Sequence, residues 1–433
     1  MNSKIFNHLR LAGFPISLGL TSVLVSGTLN RVMIVELGLP ATLVGLFFAL
    51  PLIISPLRIW LGYRSDAHPV WGLRREPFII LGSLLAGFGV AGAALTVIQN
   101  ERLNLIMVLL MMVGFLAYGL GKNLSSNTFE ALLADKFTGH QRPRAATYYK
   151  IAMFVGIILG ALLLGRLLSP FSTSRLITVV MAVALGAFAL TVLAVTRQEP
   201  RKQEIISESK AAREIPFFET LKDLVWSDPQ VRRFFVFVML IVIGTLGQDV
   251  LLEPYAALVL GMSVGETTRL TAIWGAGTLL AMGAAGAWLV KRFGYERVVR
   301  VGIFLGISVF VGLILSGAFK LTGLFLFLVF ILGISTGLSA SGMLTAVIQF
   351  TTPERAGLLM GVWGVAHNLG QAAGGMLSGG LVDLVRGFGG NALTAYGLVF
   401  ALEALLLLLA LGLLGQIQIT RARVISSTQA AEM

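Results

Sequence analysis

The sequence predicts an all-α membrane protein of twelve transmembrane helices in two six-helix halves, and three observations carry that reading. Of 433 residues, 56% are hydrophobic and 12% charged, against roughly 25% charged in soluble domains. No water-soluble core hides so much apolar surface. Apolar runs of about 20 residues recur from Leu11 to Gly415, each long enough to cross a hydrocarbon layer roughly 30 Å thick. Lipid offers the backbone no hydrogen bonds, so each crossing must be a helix. Finally, a polar stretch over 197–233 holds eight Lys/Arg and seven Asp/Glu and separates six runs from six.

The runs place helices at 11–35, 42–61, 78–98, 103–134, 145–164 and 176–195, then at 234–260, 270–290, 298–318, 321–346, 356–381 and 392–414. Residues 1–196 are expected to form the N-terminal half, 197–233 a cytoplasmic linker, and 234–433 the C-terminal half with a short cytoplasmic tail. The first run stands among equals with no small-residue cleavage site after it, so it reads as a retained helix and not a signal peptide. Counting Lys and Arg in connections and adjoining helix ends puts 24 on one face and only Arg31, Arg102, Arg166, Arg175, Arg269, Lys320 and Arg386 on the other. The basic face is the cytoplasmic one, which holds both termini. The same asymmetry accounts for the net charge of +12, so no nucleic-acid partner is expected. The chain has no cysteine, which excludes disulfides, thiolate metal sites and cysteine nucleophiles.

After the second run comes Gly62-Tyr63-Arg64-Ser65-Asp66, then Gly72-Leu73-Arg74-Arg75. A Gly, an Asp four residues on and a basic pair beyond resembles the cytoplasmic loop signature of the major facilitator superfamily. The Gly permits close helix contact, the Asp can sit at a helix N-terminus, and the basic pair holds the loop inside. The matching place in the second half, Val290 to Arg297, is an echo lacking the Asp. The longer string from Ser55 to Pro69, with Arg58, Trp60 and His68, followed by Trp71-Gly72-Leu73-Arg74-Arg75-Glu76-Pro77, is similar to the PucC/LhaA family. Ala134-Asp135 and Arg142-Pro143-Arg144-Ala145 extend the likeness. These are light-harvesting-complex assembly factors, also called the bacteriochlorophyll delivery family. The resemblance implies a multi-pass protein of a bacterial inner, intracytoplasmic or thylakoid membrane. It also implies chlorophyll or bacteriochlorophyll as cargo, with light-harvesting or reaction-centre subunits as partners.

Ionisable groups at membrane depth cost about 2.5 to 3.5 kcal/mol on insertion scales, so each requires a partner or a task. In the fourth helix Asn123, Asn127 and Glu130 share one face, expected to look into the bundle, beside Lys122. Glu130 either neutralises Arg58 or serves a coupling role. In the seventh, Gln248 precedes Asp249 and Glu253, two carboxylates one turn apart that either trade protons with a cargo or mark a wet mouth of the bundle. In the eleventh, His367, Asn368 and Gln371 lie among Gly364, Gly370 and Gly374. Small residues let helices, or a flat macrocycle, approach closely. His367 is thus either an axial ligand for pigment magnesium or a hydrogen-bonded helical histidine, and no other metal ligation is expected.

No phosphate loop, dinucleotide fingerprint or zinc-helix motif is present, so the chain is not expected to be an enzyme. Three functions remain: a pigment-delivering assembly factor, a proton-coupled secondary transporter of a small solute, and a pigment-free assembly scaffold. Asp66 is expected to pack against the start of the eleventh helix, where Thr352 and Pro353 read as N-cap and first helical residue. Arg58 and Glu130 are expected to pair. In a double-mutant cycle on thermal stability, Arg58→Met or Glu130→Leu alone should cost about 3 to 5 kcal/mol, and the two together nearly nothing. Equal harm singly and combined excludes the pair.

Overall fold

The computed structural model describes residues 10–57, 70, 72–99, 104–137, 141–199, 229–350 and 356–417. Arg58, Gly62, Arg64, Asp66, Thr352 and Pro353, and with them the two expected contacts of Arg58 and Asp66, lie outside these described residues. The side chains of Arg142 and Arg144 do as well.

The described chain is a succession of helical rods. The first half holds α1 (Gly13–Glu36), α2 (Ala41–Ile53), α3 (Glu76–Gln99), α4 (Leu105–Lys136), α5 (Gln141–Leu167) and α6 (Thr173–Val195). The second holds α7 (Pro229–Leu246, a 3-10 turn Gly247–Val250, then Leu252–Leu260) and α8 (Val264–Phe293). After these come α9 (Tyr295–Ala318), α10 (Thr322–Phe350), α11 (Ala356–Gly387) and α12 (Ala392–Leu414). Among the described residues, ten of these rods are long and apolar enough to cross a bilayer. Side chains such as Phe88, Leu105, Leu185 and Phe304 are exposed, as lipid-facing positions require. Helix α8 begins at Val264 and not at 270: Glu266 accepts hydrogen bonds from Ser263 N–H and Oγ, which caps an extra polar first turn.

Two compact units result: Met1–Arg213 with Ala256–Ala272, and Glu214–Tyr255 with Ile273–Met433. In the first, α3 and α4 meet along glycines spaced by seven residues. A Cβ at Gly89 would collide with Tyr118 N, and one at Gly121 with Ala86 N. Only hydrogen fits there, and the backbones approach accordingly. Phe14, Phe129 and Tyr149 join α1, α4 and α5 through ring contacts of 4.4 and 5.8 Å. Arg31, 4% exposed, pairs with Glu36 and donates to Met262 O at 3.2 Å. In the second unit, Tyr255 packs edge-on against Phe400 at 5.0 Å and donates to Leu313 O at 2.7 Å.

One end of the first unit is tied by two carboxylates that cap each other's segments. Glu76, the first residue of α3, accepts from the N–H groups of Arg197, Gln198 and Glu199 at 2.9, 2.5 and 2.6 Å. Glu199 accepts in return from the N–H groups of Arg74, Arg75 and Glu76 at 2.8, 2.8 and 3.4 Å. The donors at the α3 start are those that every helix leaves without an internal partner, and an anion there also meets the positive end of the dipole. Arg197 adopts a left-handed φ of 60° to turn the chain after α6, and the Glu76 cradle holds it. Arg75 Nε reaches Asp135 Oδ2 at 3.0 Å, and Lys136 donates to Gln198 Oε1, so α4 joins the same knot. Glu76→Ala should destabilise by on the order of 3 kcal/mol, since buried N–H groups lose their acceptor. Glu199→Ala added to it should cost far less than its effect alone, because the two cradles share one geometry. Thermal unfolding of single and double variants in detergent checks this, and strict additivity contradicts it.

Candidate functional site

Helix α7 does not cross the second unit unbroken. It stops at Leu246, whose φ of −125° and ψ of −3° leave the helix, and Gly247–Val250 form a 3-10 turn before the rod resumes. Gln248 Nε2 donates to Thr245 O at 2.9 Å, satisfying a carbonyl where the helix ends. Asp249 lies in this turn, and Gln371 of α11 donates to its Oδ2 at 3.2 Å. The structure thus joins two groups that the sequence presented separately, the acids of the seventh helix and the amide of the eleventh. Glu253 is buried at 5% exposure in the resumed helix, separated from Asp249 by the turn and not stacked on one continuous α-helical face.

The glycines of α11 divide between two uses. A Cβ at Gly370 would lie 3.1 Å from Val242, and one at Gly374 would lie 3.0 Å from Gly247 Cα, so both serve close packing on α7. Gly364 instead borders open space, with nothing within 4 Å of its built Cβ. His367, half-buried, lies one turn on, its ring 5.5 Å from that of Trp363. Asn368 beside it is half-buried. Close packing on α7 thus occupies Gly370 and Gly374, and no such contact is made at Gly364 among the described residues.

In the first unit, Asn123 Nδ2 donates to Pro51 O at 3.2 Å, capping a carbonyl where α2 ends. Asn127 is half-buried, whereas Glu130 is exposed. Lys122 stands over the Tyr118 ring at 5.7 Å, in a cleft with Ser17, Thr21, Ser83 and Ser125. Of the loop motif, Gly72 takes a φ of 75° in a tight turn closed by Val70 and Leu73, and Arg74 and Arg75 enter the carboxylate knot. Gly72 is needed there because the left-handed region is costly for other residues.

Sequence reasoning passed over Glu403, on α12, which is 1% exposed. A signal was available: it is the one charged residue in the otherwise apolar run 392–414. Among the described residues, no group of three or more His, Cys, Asp or Glu is placed to hold a metal ion.

Comparison with known proteins agrees with this architecture. The structure superposes on a mutant of the nucleoside transporter NupG with a TM-score of 0.76, at 14% identity, covering 95% of this chain and 99% of that one. It also superposes on a bacterial homologue of the human lysosomal transporter Spinster, in an inward-facing and occupied conformation. That TM-score is 0.71, at 14% identity and 97% coverage of both chains. The chain shares the fold of these transporters. Protein PucC of Rhodobacter capsulatus is 34% identical over 422 residues, 93% of this chain and 90% of that protein. The "Bacteriochlorophyll synthase 44.5 kDa chain" of the same species is 34% identical over 424 residues, covering 93% and 92%. With residues 28–422 matching the family described as PUCC protein, this integral membrane chain belongs to the PUCC family.

Proposed function

We propose that the protein is a photosynthetic assembly factor that binds a chlorophyll-type pigment within the membrane and delivers it to light-harvesting or reaction-centre polypeptides. The observation that carries this reading is the family match over residues 28–422, with curated relatives at 34% identity whose names include a bacteriochlorophyll synthase chain. Its membrane is the inner, intracytoplasmic or thylakoid membrane of a phototroph, with both termini in the cytoplasm as the basic-residue asymmetry requires. No catalytic step is assigned to it.

Among the described residues, those whose chemistry would suit such a pigment lie on α11. A magnesium tetrapyrrole supplies a flat ring whose metal takes an axial nitrogen or oxygen ligand. His367 would supply an imidazole nitrogen, nothing described lies within 4 Å of where a Gly364 side chain would start, and the Trp363 ring is 5.5 Å from the His367 ring. Neutral His ligates well when its second ring nitrogen is held by a hydrogen bond. Asn368 supplies a neighbouring polar group, while Gln371 is engaged with Asp249. A pigment with a hydrocarbon tail is already lipid-soluble, so entry from the bilayer suits it better than an aqueous route.

A second reading rests on the transporter fold and on the contact between Asp249 and Gln371, which would suit a proton-coupled carrier of a small solute. Solute-dependent proton flux in proteoliposomes would favour it. For the pigment reading, His367→Leu should lower the pigment retained on purification and shift its red absorption band, with yield and helical content unchanged. Identical pigment content and spectrum in that variant remove His367 from the site.

A further inference from the structure

Glu403 has no part in the pigment site. It is 1% exposed on α12, and neither carboxylate oxygen has a hydrogen-bond partner among the described residues. Ser378 Oγ of α11 is close enough to act on it without completing a hydrogen bond of ordinary geometry. The carboxylate stands over the break in α7: a Cβ at Gly247 would lie 2.7 Å from Glu403 Oε1 and 3.2 Å from Ser378 Oγ. The next residue, Gln248, has its own buried Oε1 with no donor. Three oxygens around one helix break thus lack a hydrogen bond of ordinary geometry among the described residues.

The surrounding charges do not cure this. Asp249, in the break itself, acts on Glu403 with the same sign. Asp383 and Arg386 of α11 act at the level of Tyr396, two turns away along α12. Arg233 and Arg300 lie near the starts of α7 and α9. An ionised carboxylate held in a protein interior without a countercharge is strongly disfavoured. Oxygens that lack donors are what a small cation seeks, and interrupted membrane helices supply such sites because the break frees polar groups at membrane depth.

We propose that Glu403 and the break of α7 form a binding site for one monovalent cation, a proton or Na⁺, inside the second unit. A divalent ion is a poor match, since Ca²⁺ and Mg²⁺ take six or more oxygens with several carboxylates or waters among them. The site joins α12 to the break in α7, the same turn that holds Asp249 against Gln371. Cation uptake therefore bears on how α7, α11 and α12 pack, whatever the cargo is.

The test uses the full chain in lipid nanodiscs, with thermal unfolding read by tryptophan fluorescence. In one series the pH is lowered at fixed salt, and in the other Na⁺ replaces choline at fixed pH. A ligand that binds only the folded state raises the midpoint by mass action. A proton site makes the wild-type midpoint rise with acidity and not with Na⁺, and a sodium site does the reverse. In either case Glu403→Gln, a neutral isostere, loses that rise and starts no lower than the cation-saturated wild type. Gly247→Ala, which keeps the carboxylate but crowds Oε1, shifts the response to several-fold higher cation concentration. The proposal is overturned if the wild-type midpoint follows neither cation, or if Glu403→Gln responds as the wild type does. Should Glu403→Gln not be recovered from membranes, an unchanged response in Gly247→Ala overturns it.

Discussion

A polar group that this chain carries into the bilayer is costly unless it finds a partner inside the protein, because the surrounding hydrocarbon offers none. The backbone meets that demand by being helical almost throughout. The side chains meet it case by case: Arg31 with Glu36 and Met262 O, Asn123 with Pro51 O, Tyr255 with Leu313 O, Gln371 with Asp249. Helix packing without a hydrophobic driving force then falls to shape. The α3–α4 seam, where Gly82, Gly89, Gly114 and Gly121 admit the opposing backbone, is the plainest instance.

Much of this was legible in the sequence. The succession of apolar helices was readable because hydropathy is a local signal. Gly72 and Gly294 both take left-handed φ values, 75° and 79°, at corresponding places in the two halves, which is the structural side of the loop echo. What was not legible depends on which helix faces which. Spacing put Glu130 on the face of Asn123 and Asn127, yet it is exposed while they are half-buried, because a shared helix face does not fix how deeply each position is covered. The glycines of α11 read as one surface but divide, Gly370 and Gly374 against α7 and Gly364 open. The reciprocal cradle of Glu76 and Glu199 was invisible, since its donors are backbone groups of segments more than a hundred residues apart.

The second unit concentrates the chemistry that the fold does not need for its own sake. A rod stable as a continuous helix is instead interrupted at Gly247–Val250, and Asp249, Gln248, Gln371, Ser378 and Glu403 gather around the interruption. On α11 the half-buried His367 lies beside Trp363, their rings 5.5 Å apart. The first unit's carboxylate knot, by contrast, is a fastening: each of its two carboxylates accepts from three backbone N–H groups of the other's segment.

Pigment content is the most direct measure of the functional reading. The chain purified in mild detergent from the membranes of a phototroph, freed of antenna and reaction-centre polypeptides, should carry a red-absorbing magnesium tetrapyrrole that solvent extraction recovers in proportion to protein. A colourless chain that co-purifies with those polypeptides contradicts pigment binding and leaves a scaffold in its place.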